Sequence, residues 1–233
     1  MLINGIITIA LGYLFGSIPV TYLVTFTFKG RDIRKTGDGT VHTSNIFREL
    51  GLGMAAVIAV LNTGKGVIAC ISVFLFLPEI VPTSFPWQLA ALVSVAAGHI
   101  WPVFMKFRGG YGLAVSIGIL AVLLPQAMLI GLAIAILLMV FFRNPVLAVN
   151  LSLISIPVTA VFQKENLFLI MFPQARLLLI LFPIVLLLML GLHFLPTAKA
   201  ALAAAGSREN LAAELFRLDR GKKKVKKVKK ARK

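Results

Sequence analysis

Cysteine is almost absent from this 233-residue chain. Cys70 stands alone, which excludes an intrachain disulfide and a cysteine-based metal cluster. Histidine is scarce too. His42, His99 and His193 stand far apart, and none has the local spacing of a zinc site. No metal and no cofactor is therefore expected. Acidic residues number 8 against 24 Lys and Arg. The opening stretch "MLINGIITIALGYLFGSIP" lacks the positive region that begins a secretory signal. It is expected to be a retained first span.

What the chain has in quantity is apolar side chain. Hydrophobic residues make up 59% of it and the mean hydropathy is +0.95, against ~45–50% apolar in a soluble domain. Apolar stretches of roughly membrane-spanning length recur, so the solvent for most of the chain is lipid. The expectation is an all-α, polytopic integral membrane protein with about seven transmembrane helices. They are placed near 2–26, 51–77, 88–105, 112–124, 127–142, 146–162 and 177–195. The fourth and fifth are below the ~20 residues of a straight span, so they are expected to be tilted, shielded by neighbours or partly re-entrant.

Charge orients the spans. With the N-terminus outside, the inner connections carry Lys29, Arg31, Arg34, Lys35, Arg48, Lys106, Arg108, Arg143, Lys199 and Arg208, while the outer ones carry only Lys164 and Arg176. The C-terminus is then cytoplasmic. Residues 1–216 read as a single transmembrane domain, and 217–233 as a basic tail with 11 basic groups and one acid. Like charges repel and little can be buried there, so disorder is expected. Anionic lipid is the expected partner of the tail, at ~1 kcal/mol per basic group. No nucleic acid is needed to explain its charge, and a monomer is expected.

Two polar segments on the inner side carry the candidate chemistry. In "KGRDIRKTGDGTVHTSNIFRELG", Gly37 and Gly39 can adopt φ > 0, so successive N–H groups can converge on an anion. Thr40, Thr43, Ser44 and Asn45 add donors, and Arg34, Lys35 and Arg48 add charge. Ser44 or Asn45 is expected to cap a helix entered at Ile46, whose N-terminus favours anions. The set suits a phosphate; it equally suits a polar turn with a helix cap. In "GHIWPVFMKFRGGYG", Gly109, Gly110 and Gly112 allow a sharp turn or a close approach, beside Lys106, Arg108 and His99. A histidine at the inner end of a span is also compatible with plain packing. Lys65 lies within a span, where a lysine must snorkel, pair or line a wet cavity. Arg143 and His193 sit at inner span ends.

"GSIPVTYLV", "RDIRKTGDGTVHTSNIFRELG", "LNTGKGVIA" and "GHIWPVFMKFRGGYG" resemble, in order and spacing, the bacterial acyl-phosphate:glycerol-3-phosphate acyltransferases of the PlsY type. The likeness covers nearly all of the chain except the tail. It implies a multi-pass cell-membrane enzyme of phospholipid biosynthesis with its site at the cytoplasmic face. Such an enzyme moves a fatty acyl group from acyl phosphate to the 1-hydroxyl of glycerol 3-phosphate, giving lysophosphatidic acid without an acyl-enzyme. The H-x-x-x-x-D signature of the other large glycerolipid acyltransferase class is absent. Carried over by position, the resemblance implies catalytic roles for His193, Arg48 and Asn45. It implies substrate contacts for Gly37, Gly39, Thr40, Ser44, Arg48, His99, Lys106, Arg108, Gly109, Gly110, Tyr111 and Arg143.

Departures from the family pattern fall on the same segments. Asp38 replaces serine, Thr40 asparagine, His42 glycine, Thr43 alanine and Ser44 threonine. Tyr111 stands where a lysine would meet the substrate phosphate. Val146 follows Arg143 in place of a serine, Pro196 follows His193 in place of an asparagine, and Arg208 takes a glutamate's position, with Glu209 one residue late. Two competing readings stand beside it: a catalytically altered or inactive paralogue that binds phosphorylated lipids, from these departures, and a small anion transporter, from the short interrupted spans and the inner basic residues.

Overall fold

The computed structural model describes residues 2–37, 39–142, 148, 151–162 and 176–205, with side chains at 43, 44, 141, 142 and 194–205 outside the description. The described residues are helical, with no strand among them. The helices are α1 (Leu2–Ser17), α2 (Val20–Lys29), α3 (Thr43–Ile71), α4 (Leu77–Ile80), α5 (Phe85–Ile100), α6 (Leu113–Leu123), α7 (Pro125–Phe142), α8 (Ser155–Phe162) and α9 (Arg176–Ala205). Four stretches are long and apolar enough to cross a membrane: Leu2–Lys29, Asn45–Ile80, Phe85–Met105 and Arg176–His193. Three shorter apolar helices, Leu113–Leu123, Pro125–Val140 and Leu151–Phe162, complete the set. All the expected spans are represented.

Several boundaries differ from the sequence expectation, each for a local reason. The first span is broken. Pro19 has no N–H to donate and disfavours helix at Ile18, so α1 ends at Ser17 and α2 restarts at Val20. Carbonyls freed at this break accept from a buried lysine: Lys65 Nζ donates to Gly16 O at 2.7 Å and to Ile18 O at 3.0 Å. Lys65 is only 4% exposed. It neither snorkels nor needs an acid, because the C-terminal carbonyls of a helix attract a cation. The second long helix starts at Thr43, eight residues ahead of the apolar run, and kinks at Gly51. The third ends at Ile100, and Val103–Met105 is a turn of 3-10 helix.

Small residues let backbones approach where lipid supplies no hydrophobic drive. α1 lies along α5, where a Cβ at Gly12 would meet Ala91 O and one at Gly98 would meet Tyr13 O. Ser94 Oγ donates across this contact to Ile9 O at 2.8 Å. α3 and α6 touch in the same way, through Gly66 against Val115 O and Gly118 against Thr63 O. The short α6 is shielded by its neighbours: Val115, Ser116, Ile119, Leu120 and Leu123 are all buried. One large apolar core joins α3, α5, α6 and α9. A second, smaller one matters more for the site. Ile33 and Val41 from the 30–42 loop, Ile46, Ala55 and Ile58 from α3, and Met105 from the α5–α6 connection are buried together. This core clamps the two polar segments to each other.

Candidate active site

The 30–42 loop is held by its own side chains. Asp32 accepts from Arg34 Nε at 2.9 Å and from Arg34 Nη2 at 2.8 Å, a bidentate pair. The Arg34 guanidinium also lies 4.8 Å over the Tyr22 ring. The side-chain hydrogen bond from Arg34 holds the Asp32 carboxyl below its ordinary range, and the same bond raises Arg34. Arg34 is therefore neutralised within the loop. Arg48 is exposed on the first turns of α3.

Asn45 is fully buried. It does not cap a helix at Ile46. The helix begins earlier, at Thr43, with His42 as its N-cap. Asn45 Nδ2 turns back to the loop and donates to Thr40 O at 2.8 Å and Thr36 O at 3.3 Å. Its place is that of a positioning residue. Gly37, at φ 60°, lies against it: a Cβ there would run into the Asn45 side-chain oxygen. Thr40 is half-buried, and Gly39 is exposed at φ 75°. Ser44 stands in the first turn of α3 with its side chain outside the described residues, as is all of Asp38.

The glycine turn at 108–112 folds back onto the end of α5. Gly109 N donates to Ile100 O at 3.1 Å and Gly110 N donates to His99 O at 3.2 Å. A Cβ at Gly110 would come within 2.6 Å of His99 Nε2. These two N–H groups thus tie down the turn, and the glycines bring the chain against His99. Lys106 and Arg108 are exposed just before it. Lys106 and Phe107 both hold positive φ, 53° and 59°, a conformation that non-glycine residues adopt at a cost.

The three histidines, far apart in sequence, converge. His42 stacks on Tyr111 with ring centroids 3.5 Å apart. Tyr111 meets His193 edge-on at 5.9 Å, and His193 meets Trp101 edge-on at 5.8 Å. Both His42 and Lys65 lie within electrostatic reach of His99. A cavity opens next to this cluster, lined by Gly16, Ile18, Thr21, Tyr22, Val41, His99, Pro102, Met105, Gly109 and Gly110. The α1–α2 break, the first loop and the glycine turn therefore share one pocket. Among the described residues no group of three His, Cys, Asp or Glu could hold a metal ion.

Arg143, Val146, Arg208, Glu209 and the tail at 217–233 lie outside the described residues, as does the side chain of Pro196. Sequence reasoning did not include His42 and Trp101 among the candidate residues, although their rings contact Tyr111 and His193. The signal for His42 was its departure from glycine in one motif, matched by the departure at Tyr111 in the other.

A family model described as glycerol-3-phosphate acyltransferase matches residues 6–203. The chain belongs to this family. The glycerol-3-phosphate acyltransferase 1 of Dehalococcoides mccartyi is 31% identical over 209 residues, covering 88% of this chain and 94% of that protein. The glycerol-3-phosphate acyltransferase of Synechococcus elongatus is 37% identical over 147 residues, 61% of this chain and 70% of that one. Two crystal structures of PlsY (YgiH), an integral membrane glycerol 3-phosphate acyltransferase, share the fold at a TM-score of 0.68 and 21% identity, over 86% of this chain and 92% of theirs. One is the glycerol 3-phosphate form and the other the lysophosphatidic acid form. The protein is an all-helical, multi-pass integral membrane member of the glycerol-3-phosphate acyltransferase family.

Proposed function

We propose that the pocket between the α1–α2 break, the 30–42 loop and the glycine turn is where this acyltransferase joins acyl phosphate to glycerol 3-phosphate, producing lysophosphatidic acid. The observation that carries the reading is the convergence of three separate polar segments and His193 at one end of the helix bundle. The positive-inside charge pattern supports placing that end at the cytoplasmic face of the cell membrane, with the N-terminus outside.

The chemistry asks for positioning and charge. Acyl phosphate is a mixed anhydride, so no Ser or Cys nucleophile is required. The 1-hydroxyl of glycerol 3-phosphate attacks the acyl carbonyl, the new ester C–O bond forms, the bond from the acyl carbon to the phosphate oxygen breaks, and the departing phosphate takes the hydroxyl proton. Two anions must be held side by side while negative charge builds on the carbonyl oxygen, which is work for fixed donors in a shielded site. Arg48, Lys106 and Arg108 supply formal charge at the rim. His99 and His193 supply polar groups beside the pocket, and Asn45 with Gly37 keeps the loop in shape. The basic tail at 217–233 is assigned to anionic headgroups of the inner leaflet, and Arg143 to a substrate contact.

Purified protein in detergent, given acyl phosphate and glycerol 3-phosphate, is expected to release lysophosphatidic acid and to give none with acyl-CoA. Acyl phosphate or lysophosphatidic acid binding without any turnover would overturn the assignment in favour of a non-enzymatic lipid binder.

A further inference from the structure

The His42–Tyr111 contact is closer than ordinary aromatic pairing. Its centroids are 3.5 Å apart with planes 27° from parallel, against the ~4.5–7 Å typical of ring pairs. At that distance neither ring can change without affecting the other. Both positions are also places where the chain departs from the family pattern its motifs resemble, in which glycine and lysine stand there. The glycine has no ring to stack, and the tyrosine has no formal charge. His42 is the N-cap of α3, yet its side chain makes no capping bond to the helix. Its ring is turned instead to the face of Tyr111, at the edge of the glycine turn.

We propose that His42 and Tyr111 form one acceptor-binding element, in which the tyrosine ring holds the His42 imidazole where its N–H donates to the phosphate of glycerol 3-phosphate. The donor that residue 111 lacks is supplied across space from residue 42. An imidazole suits this exchange. It is a donor that can carry charge, a cation over a tyrosine face is favoured, and an N–H to phosphate bond is strengthened by charge. The titratable rings around it are Tyr111 in the stack, His193 behind Tyr111 and His99 within electrostatic reach. The inference rests on the site assignment above and adds which residues select the acceptor.

A mutant cycle on the full chain tests it, reading glycerol 3-phosphate binding by titration calorimetry together with KM and kcat. His42→Gly is expected to weaken acceptor binding about tenfold, with KM raised more than kcat is lowered. His42→Phe keeps a ring against Tyr111 but has no N–H; it should lose binding to the same extent while its unfolding temperature stays near the parent's. Tyr111→Phe keeps the stack and should lose less than His42→Phe. Tyr111→Lys alone should not improve binding, because it removes the ring that holds His42. The double variant His42→Gly with Tyr111→Lys exchanges the element as a whole and should bind within about threefold of the parent, better than either single change. Two results would overturn the proposal: a double variant whose loss equals the product of the single losses, or a His42→Phe protein that binds like the parent. A parent that binds the acceptor but forms no lysophosphatidic acid would refute the catalytic reading alone, and the binding cycle would still judge the pair.

Discussion

The glycines at 37 and 39 and those at 109 and 110 look alike in sequence and answer different demands. Gly37 and Gly39 lie in the left-handed region, at φ 60° and 75°, so they serve the shape of the loop itself. Gly109 and Gly110 have no positive φ. They are needed because the end of α5 occupies the space where side chains would go. One segment is a turn built for its own curvature. The other is a strap pressed against His99 and Ile100. A glycine-rich motif therefore reports a backbone near a site without saying whether its N–H groups face a ligand. At 109 and 110 they face carbonyls of α5.

The difference predicts an order of sensitivity. Gly109→Ala should be the most damaging, since the new Cβ meets the backbone carbonyls of His99 and Ile100, which cannot give way. A loss of about 3 kcal/mol in detergent unfolding is expected, with turnover abolished. A stable, active Gly109→Ala protein would break the distinction between the two segments. Asn45→Ala comes next. It removes the donor to the Thr36 and Thr40 carbonyls and should cost about 2 kcal/mol, with a higher KM for glycerol 3-phosphate. Gly39→Ala should cost about 1 kcal/mol, from its left-handed conformation and from the Arg34 carbonyl 3.1 Å from the new Cβ, and activity should survive. An Asn45→Ala effect smaller than that of Gly39→Ala would mean that the loop is not organised from Asn45.

The smallest effect belongs to the Asp32–Arg34 pair, whose arginine side chain is 42% exposed. Asp32→Asn should cost at most about 0.5 kcal/mol. The carboxyl is held below its ordinary value of 3.8, so the stabilisation is complete above that value and fades as pH falls through the lowered one. Parent and Asp32→Asn should therefore converge in unfolding temperature only in strong acid. A difference that changes between pH 5 and 7 would assign it to another group.

The membrane architecture was legible because hydropathy reports the solvent directly. Among the described residues the apolar runs became helices, and the polar segments at 30–42 and 106–112 fell at one end of the bundle. What stayed hidden was partner choice. The first eight residues of α3, "TSNIFREL", are too polar for a hydropathy window, so the span is placed only from 51, while the capping pattern puts the helix entry at Ile46, three residues after its start at Thr43. Lys65 stood out as costly in a span, but nothing local pairs it with the carbonyls at Gly16 and Ile18, which come from another helix. His42 was visible only as a departure from a pattern. Its meaning depends on Tyr111, which is distant in sequence and adjacent in space.

Arg48 gives the most direct test of the site. It is an exposed cation near the start of α3, next to the loop that Asn45 organises, and the proposed function assigns its charge to a substrate phosphate. The measurement is the rate of lysophosphatidic acid release from acyl phosphate and glycerol 3-phosphate by purified parent and Arg48→Ala proteins of equal thermal stability. The expected result is a parent rate well above background and a variant rate at least about a hundredfold lower. Equal rates in the two proteins would contradict the placement of the phosphate site at this end of the bundle.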